Sequence, residues 1–370
     1  MSDLPTSDLP ASNLPISDHC DGRRFFNPAD LMPDGAPERA LPRIGLLSIL
    51  RWQWARRGRP SGWPDRLENP APAGDPHAAP EAGHARITFI GHSSFLLRVP
   101  AGDGSHVTIL TDPVFSARCS PVRWAGPRRV RPPGRSMAAL PRVDLILVSH
   151  CHYDHMDLPS LAFFAERDAP RVMTPVGNAR HLRKAGLRDV IECDWWEESA
   201  VRGLRVTCTP ARHGSARTPF DRDRALWGGF DIRPASPGAA QAPAIFFAGD
   251  SAHGRHWGRI RARLGAPDIA LLPVGAYEPR FLMADVHTTP EEAVAAFRAL
   301  EARQAVGMHF GTFRLTDEPI GEPLSRLAAA CAAEGLEPGR FVTLGHGECR
   351  DFAAAREVPR AAAPQVVGSV

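Results

Sequence analysis

The chain has 370 residues, 43% of them hydrophobic, and a formal net charge of +3. That length suits one large domain with an extension or two modest domains, and the apolar fraction supports a real core, while so small a charge gives no reason to expect a nucleic-acid partner. Seven cysteines, an odd number with no CxxC pair, read as reduced thiols and not as a disulfide framework; with no apolar run of membrane-spanning length and no signal peptide at Met1-Ser2-Asp3, the expectation is a cytoplasmic protein.

Residues 2–18 repeat a short unit, Ser2-Asp3-Leu4-Pro5, Ser7-Asp8-Leu9-Pro10 and Ser12-Asn13-Leu14-Pro15. Prolines at that spacing prevent a continuous helix, so residues 1–20 read as a disordered tail. Residues 21–85 are rich in Pro, Gly and Arg and read as an extension and linker, with Pro70 to Gly83 as its most linker-like part. One segment stands apart. Residues 44–57, ending in Trp52, Trp54, Arg56 and Arg57, form an amphipathic candidate that suits either an anionic membrane surface or packing on its own domain.

Regular structure begins near Ala85 and is expected to run to about residue 355, with 356–370 as a second tail. Ile87-Thr88-Phe89-Ile90, Phe95-Leu96-Leu97-Arg98-Val99 and Val107-Thr108-Ile109-Leu110 read as strands. Arg118, Arg123, Arg128, Arg129, Arg131 and Arg135 then fall in a loop broken by proline and glycine. It suits phosphate or carboxylate recognition, or is simply a solvated basic loop. Next comes the stretch around which the chain is organised. A branched apolar run, Val143 to Val148, feeds His150-Cys151-His152-Tyr153-Asp154-His155, which places three imidazoles and a carboxylate within six residues. His150 and His152 can point the same way off an extended backbone, and Asp154 and His155, past a bend, can face a second ion. Trp195 and Trp196 read as packing anchors.

The pattern of an apolar run, a potential ligand and then small residues recurs at His213, Asp250 and His309. Ligands at strand ends converge on one edge of a sheet, and the four segments together offer five His and two Asp, enough for two metals. Pro290 to Leu300, with Thr289 as N-cap and acids in its first turn, reads as a helix, as does Leu324 to Ala333. Strands alternating with such helices indicate an α/β or α+β layered domain.

The hexad 150–155 matches the HxHxDH signature of the metallo-β-lactamase superfamily. The wider context resembles the N-acyl-phosphatidylethanolamine-hydrolysing phospholipase D family in Gly91-His92-Ser93, Leu110-Thr111-Asp112-Pro113, Gly126-Pro127-Arg128-Arg129 and Asp194-Trp195-Trp196-Glu197-Glu198. The same holds for Phe247-Ala248-Gly249-Asp250, Gly275-Ala276-Tyr277-Glu278-Pro279-Arg280, Pro290-Glu291-Glu292-Ala293, His309-Phe310-Gly311-Thr312-Phe313 and His346-Gly347-Glu348. These motifs keep their order over residues 86–350, and departures occur at Arg123-Trp124 and Ser251-Ala252-His253.

The resemblance implies a four-layer αβ/βα sandwich with two Zn2+ on one edge. Carried over by motif, His150, His152 and His213 would hold one zinc, Asp154, His155 and His309 the other, and Asp250 would bridge them. A hydroxide shared by two ions would attack phosphorus, with Asp154 and Asp250 counted as catalytic as well as ligating. Asp112 would orient a ligand imidazole from behind, or serve only as a turn residue. His287 would aid the leaving group. The implied activity is zinc-dependent phospholipase D-type hydrolysis of N-acyl phosphatidylethanolamine-like lipids to N-acylethanolamine and phosphatidic acid; the alternative is a lactonase or other small-ester hydrolase. A phospholipid or other phosphodiester is the expected partner, with peripheral membrane contact, homodimers as in family members, and no nucleic acid.

Overall fold

The computed structural model describes residues 16–33, 51–52, 54, 62–101, 104–235 and 242–354. Among them, two seven-stranded mixed sheets form the body of the domain. The first runs, in spatial order, β16 (Cys349–Ala353), β3 (His84–Gly91), β4 (Ser94–Pro100), β5 (His106–Thr111), β6 (Leu145–Leu147), β7 (Arg171–Pro175) and β8 (Val190–Cys193). The second runs β15 (Phe341–Val342), β14 (Gln304–Met308), β13 (Ile269–Pro273), β12 (Ile245–Phe247), β11 (Gly229–Pro234), β10 (Leu204–Thr209) and β9 (Glu198–Val201). Each sheet has an antiparallel half and a parallel half. Parallel neighbours need a crossover, and helices supply it for every parallel pair except β5–β6. Helix α1 (Leu158–Arg167) joins β6 to β7 and α2 (Ala179–Lys184) joins β7 to β8. In the second sheet α3 (His256–Leu264), α4 (Arg280–Met283) with α5 (Pro290–Ala299), and α6 (Glu322–Ala333) do the same.

Side-chain alternation along the strands creates the layers. On β4 to β6, Phe95, Leu97, Val107, Ile109, Leu145 and Leu147 join the central core, which also takes Val206, Cys208, Phe230, Ile245 and Phe247 from the second sheet. Their neighbours Leu96, Leu110 and Ile146 face a separate cluster built with Leu161, Phe164 and Leu182 of α1 and α2. With both faces covered, the strands read as unbroken apolar runs and not as alternating ones. The expected α/β sandwich is therefore the observed fold. Helix α5 starts at Thr289 with a full capping box: Glu292 N–H donates to Thr289 Oγ1 at 3.2 Å and Thr289 N–H to Glu292 Oε2 at 2.9 Å.

Two expectations for the N-terminal region change. Residues 16–20, read as part of a disordered tail, are folded: β1 (Ile16–Ser17) pairs antiparallel with β2 (Cys20–Asp21). His19 holds the pair down, being 5% exposed, stacked on Trp195 at 4.2 Å, and 2.7 Å from Asp194 Oδ1. Residues 70–83, read as a linker, lie against the first sheet; Cys349 N–H donates to Ala73 O at 2.8 Å and Ala354 N–H to Gly83 O at 2.8 Å. Segment 44–57 lies outside the described residues except for Arg51, Trp52 and Trp54, and the Trp52 indole donates to Asp317 Oδ2 at 2.7 Å. The repeat in residues 2–15 and the tail 356–370 also lie outside them. All seven cysteines are free thiols. No described helix is long and apolar enough to cross a membrane.

Candidate metal centre

The residues singled out from the sequence gather on one edge of the sandwich, all but His287 just past the end of a strand. His150, His152, Asp154 and His155 follow β6, His213 follows β10, Asp250 follows β12, His287 lies between α4 and α5, and His309 follows β14. Their ring nitrogens and carboxylate oxygens form two neighbouring groups. In the first, His150 Nε2 is 2.8 Å and His213 Nε2 3.2 Å from His152 Nδ1. In the second, Asp154 Oδ2 lies 3.4 Å from His309 Nε2 and 3.6 Å from His155 Nε2. Asp250 stands between them. Its Oδ2 is 3.0 Å from His155 Nε2, 3.1 Å from His309 Nε2, 3.8 Å from His213 Nε2 and 3.9 Å from His287 Nδ1.

The backbone is bent to deliver these groups. Gly249, directly before Asp250, has φ +60°, and a Cβ there would meet Gly228 O at 2.7 Å and Ser149 Cβ at 2.8 Å, so only glycine fits. His309 (φ 63°) and Asp112 (φ 33°) also adopt left-handed conformations without being glycine. Each costs roughly 1–3 kcal/mol and persists where the surroundings over-determine it, as at functional sites.

Charge is unevenly distributed. Burial holds His150 well below its ordinary range and brings His152 down to about 3; both rings are neutral and ready to act as ligands. For His155 burial also pulls downward, yet the carboxylates of Asp250, Asp154 and Asp112 outweigh it and hold the ring well above its ordinary value. His309 follows the same balance, with Asp250 and Asp154 raising it to about 9. Asp154 and Asp250 are pushed up by burial and held down, well below the carboxylate range, chiefly by His155. His287 is kept neutral by burial.

The donor set fits a divalent transition metal. Imidazole nitrogens with carboxylate oxygens suit zinc, and equally iron. Furthermore, His155 Nε2, His309 Nε2 and Asp250 Oδ1 are buried without a hydrogen-bond partner of acceptable geometry. Burying a polar atom unpaired costs roughly 1–3 kcal/mol, and an ion between them would satisfy all three.

The ligand candidates are braced from behind. Asp112, fully buried, accepts from His155 Nδ1 at 2.6 Å, Ser149 N–H at 2.7 Å and Ser149 Oγ at 2.6 Å; the Ser149 hydroxyl in turn reaches His150 Nδ1 at 2.9 Å. One carboxylate thus orients an imidazole in each group. His213 Nδ1 reaches Val286 O at 2.9 Å. His92, quoted from the sequence only within the motif Gly91-His92-Ser93 and given no site role, lies in the turn between β3 and β4 with φ 58°. Its Nε2 lies 3.1 Å from Asp154 Oδ2, its ring sits 4.0 Å from that of His309, and its carbonyl accepts from His309 N–H at 2.9 Å. The same signal of an apolar strand followed by a ligand type and small residues was present in Ile90-Gly91-His92-Ser93.

A cavity of about 1320 Å³ opens on the centre, with His152, His213 and His287 in its wall. Its other walls come from the N-terminal segment (Arg23, Arg24, Phe25, Phe26, Met32), from Arg222 and Trp227, and from Leu282, Met283 and Val286. The arginine loop 118–135 is absent from this lining, and its side chains brace main chain: Arg129 donates to Val114 O and Ser116 O, Arg131 to Glu68 O, and Arg135 to Gly347 O and Gly74 O. Trp195 packs as expected, 7% exposed and bonded to Trp227 O.

Residues 107–310 match the model of the beta-lactamase superfamily domain. An uncharacterized protein of Mycobacterium tuberculosis is 36% identical over 294 residues, 78% of this chain and 74% of the relative. The N-acyl-phosphatidylethanolamine-hydrolyzing phospholipase D 1 of Caenorhabditis elegans is 32% identical over 275 residues, 70% of this chain and 74% of that protein. Among solved structures, a metallo hydrolase from the archaeon Ignicoccus hospitalis superposes with a TM-score of 0.53 at 22% identity, over 74% of this chain and all of that one. With its sandwich and its cluster of metal-ligating side chains, the chain belongs to the beta-lactamase superfamily as a metallohydrolase, and within it resembles the N-acyl-phosphatidylethanolamine-hydrolysing phospholipases D.

Proposed function

We propose that the protein is a zinc phosphodiesterase of phospholipase D type, acting on N-acyl phosphatidylethanolamine-like lipids. The observation that carries this reading is the cavity: about 1320 Å³, walled by Phe25, Phe26, Met32, Trp227, Leu282, Met283 and Val286, with Arg23, Arg24 and Arg222 also in its lining. Apolar walls suit acyl chains and guanidinium forks suit a phosphodiester. A small lactone would leave most of that apolar surface wet.

In this reading His150, His152 and His213 would hold one zinc and Asp154, His155 and His309 the other, with Asp250 available to either group. When bound, such ions would lower the pKa of a water and offset charge on the phosphoryl oxygens. Asp112 holds a proton on His155 Nδ1, which leaves Nε2 free to ligate. His287, neutral and on the cavity wall, takes up a proton released by the attacking water and returns it to the leaving ethanolamine oxygen. The balance is one water consumed: an O–P bond forms, the P–O bond to the ethanolamine side breaks, and phosphatidic acid and N-acylethanolamine result. Peripheral contact with a membrane belongs to the same proposal, since the substrate resides there.

The test is a paired assay on zinc-loaded protein, with N-acyl phosphatidylethanolamine in mixed micelles in one arm and a panel of water-soluble lactones in the other. N-acylethanolamine release that disappears in an Asp154→Ala/His155→Ala variant is the expected result. Lactone turnover without lipid cleavage would reassign the substrate.

A further inference from the structure

We propose that residues 16–33, which precede the matched domain, are a working part of the active site. Asn27 in this strap positions His213, and Phe26 helps decide which substrate tail the cavity accepts.

The strap is fixed at both ends. At one, His19 lies between Asp18 Oδ1 (2.5 Å) and Asp194 Oδ1 (2.7 Å) and stacks on Trp195, while Phe25 N–H donates to Asp223 O at 2.8 Å. At the other, Arg255 N–H donates to Leu31 O at 3.1 Å and Arg259 Nη1 meets Asp30 Oδ2 at 2.5 Å. Leu31 O approaches Gly254 so closely that a Cβ there would stand 2.2 Å away. Between the two anchors lies Asn27. Its Nδ2 donates to His213 O at 2.8 Å, and His213 N–H donates to Asn27 Oδ1 at 3.3 Å.

His213 sits in irregular backbone after β10, and among the described residues no main-chain group pairs with its N–H or C=O. One amide side chain therefore supplies both partners. With the ring Nδ1 held by Val286 O, the two contacts leave His213 a single exposed function, Nε2 toward His152. Asp112 and Ser149 brace His155 and His150 from within the sandwich, whereas the main chain of His213 is held by a side chain 186 positions earlier in the chain. The strap also forms one wall of the cavity through Arg23, Arg24, Phe25, Phe26 and Met32, and Phe26 is 43% exposed, available to a bound chain. The role of Phe26 rests on the lipid reading above; the role of Asn27 does not.

The experiment titrates metal-free full-length protein with Zn2+ against a chromophoric chelator, and records thermal melts alongside. Partners behind a ligand typically contribute about 10–100-fold in metal affinity. Asn27→Ala should therefore weaken one of two bound zincs by that factor, leave the other unchanged, and melt within a few degrees of the parent. Asp30→Ala, which frees one anchor without touching His213, should bind both zincs as the parent does. Parental affinity at both sites in Asn27→Ala, or equal loss at both, overturns the positioning role. In the second arm, Phe26→Ala should raise KM for micellar N-acyl phosphatidylethanolamine by about tenfold, from lost apolar contact, and should change kcat/KM for bis(p-nitrophenyl) phosphate by much less. An equal effect on both substrates, or none on the lipid, overturns the specificity role. If the parent cleaves the small diester but no lipid, that role falls with the reading it rests on, while the zinc titration still decides Asn27.

Discussion

The two halves of the metal centre are built alike and charged differently. His150, His152 and His213 form a group of three neutral rings with no carboxylate of their own, each kept neutral by burial. A few ångströms away, the carboxylates of Asp250 and Asp154 outweigh burial and raise His155 and His309 above the ordinary imidazole value. The lesson concerns order of events. The imidazole group offers lone pairs at neutral pH, whereas the carboxylate group must release protons before a cation can replace them. Asp250 belongs to both, so it is where the contrast is most easily broken.

Asp250→Asn should have the largest effect, since it removes the one carboxylate that reaches ligands in both groups. A drop of about a thousandfold in kcat/KM is expected, with Zn2+ binding weakened in both groups in chelator competition; weakening in only one would place Asp250 in a single group. Next, pH should separate the groups without any mutation. Asp250 and Asp154 raise His309 to about 9 and hold His155 well above its ordinary value, which favours protonated rings at neutrality without metal. Raising the pH removes those protons, and the carboxylate group's apparent affinity should rise about tenfold per unit for each proton released. The imidazole group, with His152 near about 3, should stay flat over the same range. Zinc titrations at several pH values, with proton release followed in weak buffer, check this.

Asp112→Asn should weaken zinc in the carboxylate group by about 10–100-fold, because the His155 Nδ1 proton loses its acceptor charge. A smaller loss in the imidazole group should follow through Ser149 and His150, and equal loss in both would show that Asp112 supports the fold more than the ligands. His92→Gln should have a milder effect, lowering affinity only where Asp154 ligates, by about tenfold at most. The smallest effect is on stability. His19 is raised above its ordinary value because, although burial lowers it, its bonds to Asp194 and Asp18 prevail. A raised pKa contributes stability that is fully present below the unfolded value of about 6.5 and is lost as pH rises through the folded value. Asp194→Asn should therefore lower stability by about 1 kcal/mol at pH 6, with the difference from the parent shrinking toward alkaline pH. Denaturant melts at two pH values measure it.

The strands and most of the candidate ligands were legible because local pattern and global position coincide: an apolar run ends, and a His or Asp stands at its tip. The His150–His155 cluster even carries two groups' worth of ligands on one turn. His92 obeyed the same rule but ended a hairpin, where a polar residue reads as a turn; its role needs a left-handed φ that no periodicity encodes. Helix α1 was hidden for a different reason. Its flanking Asp157 makes no cap, being engaged by Ser160 Oγ and by Phe115 and Ser116 N–H groups. The strap was least legible. Its strands are two residues long, and its defining contacts, His19 to Asp194 and Asn27 to His213, span 175 and 186 positions.

Strand β16 bears on the order in which this molecule can be completed during synthesis. It pairs with β3 in antiparallel register, Ala353 opposite His84, and Arg86 meets Asp351 across the seam at 2.7 Å. The flank of β3 that leaves the ribosome early thus stays open until almost the whole domain has followed. At about 5–20 residues per second, that interval is on the order of ten seconds or more. An unpaired strand edge is a template for wrong partners, and charges along it are the usual protection; Arg86 supplies one before Asp351 arrives to neutralise it. Every candidate metal ligand, from His150 to His309, precedes that last strand. A chain interrupted just short of β16 would therefore carry a full set of ligands on a sheet still open to its neighbours.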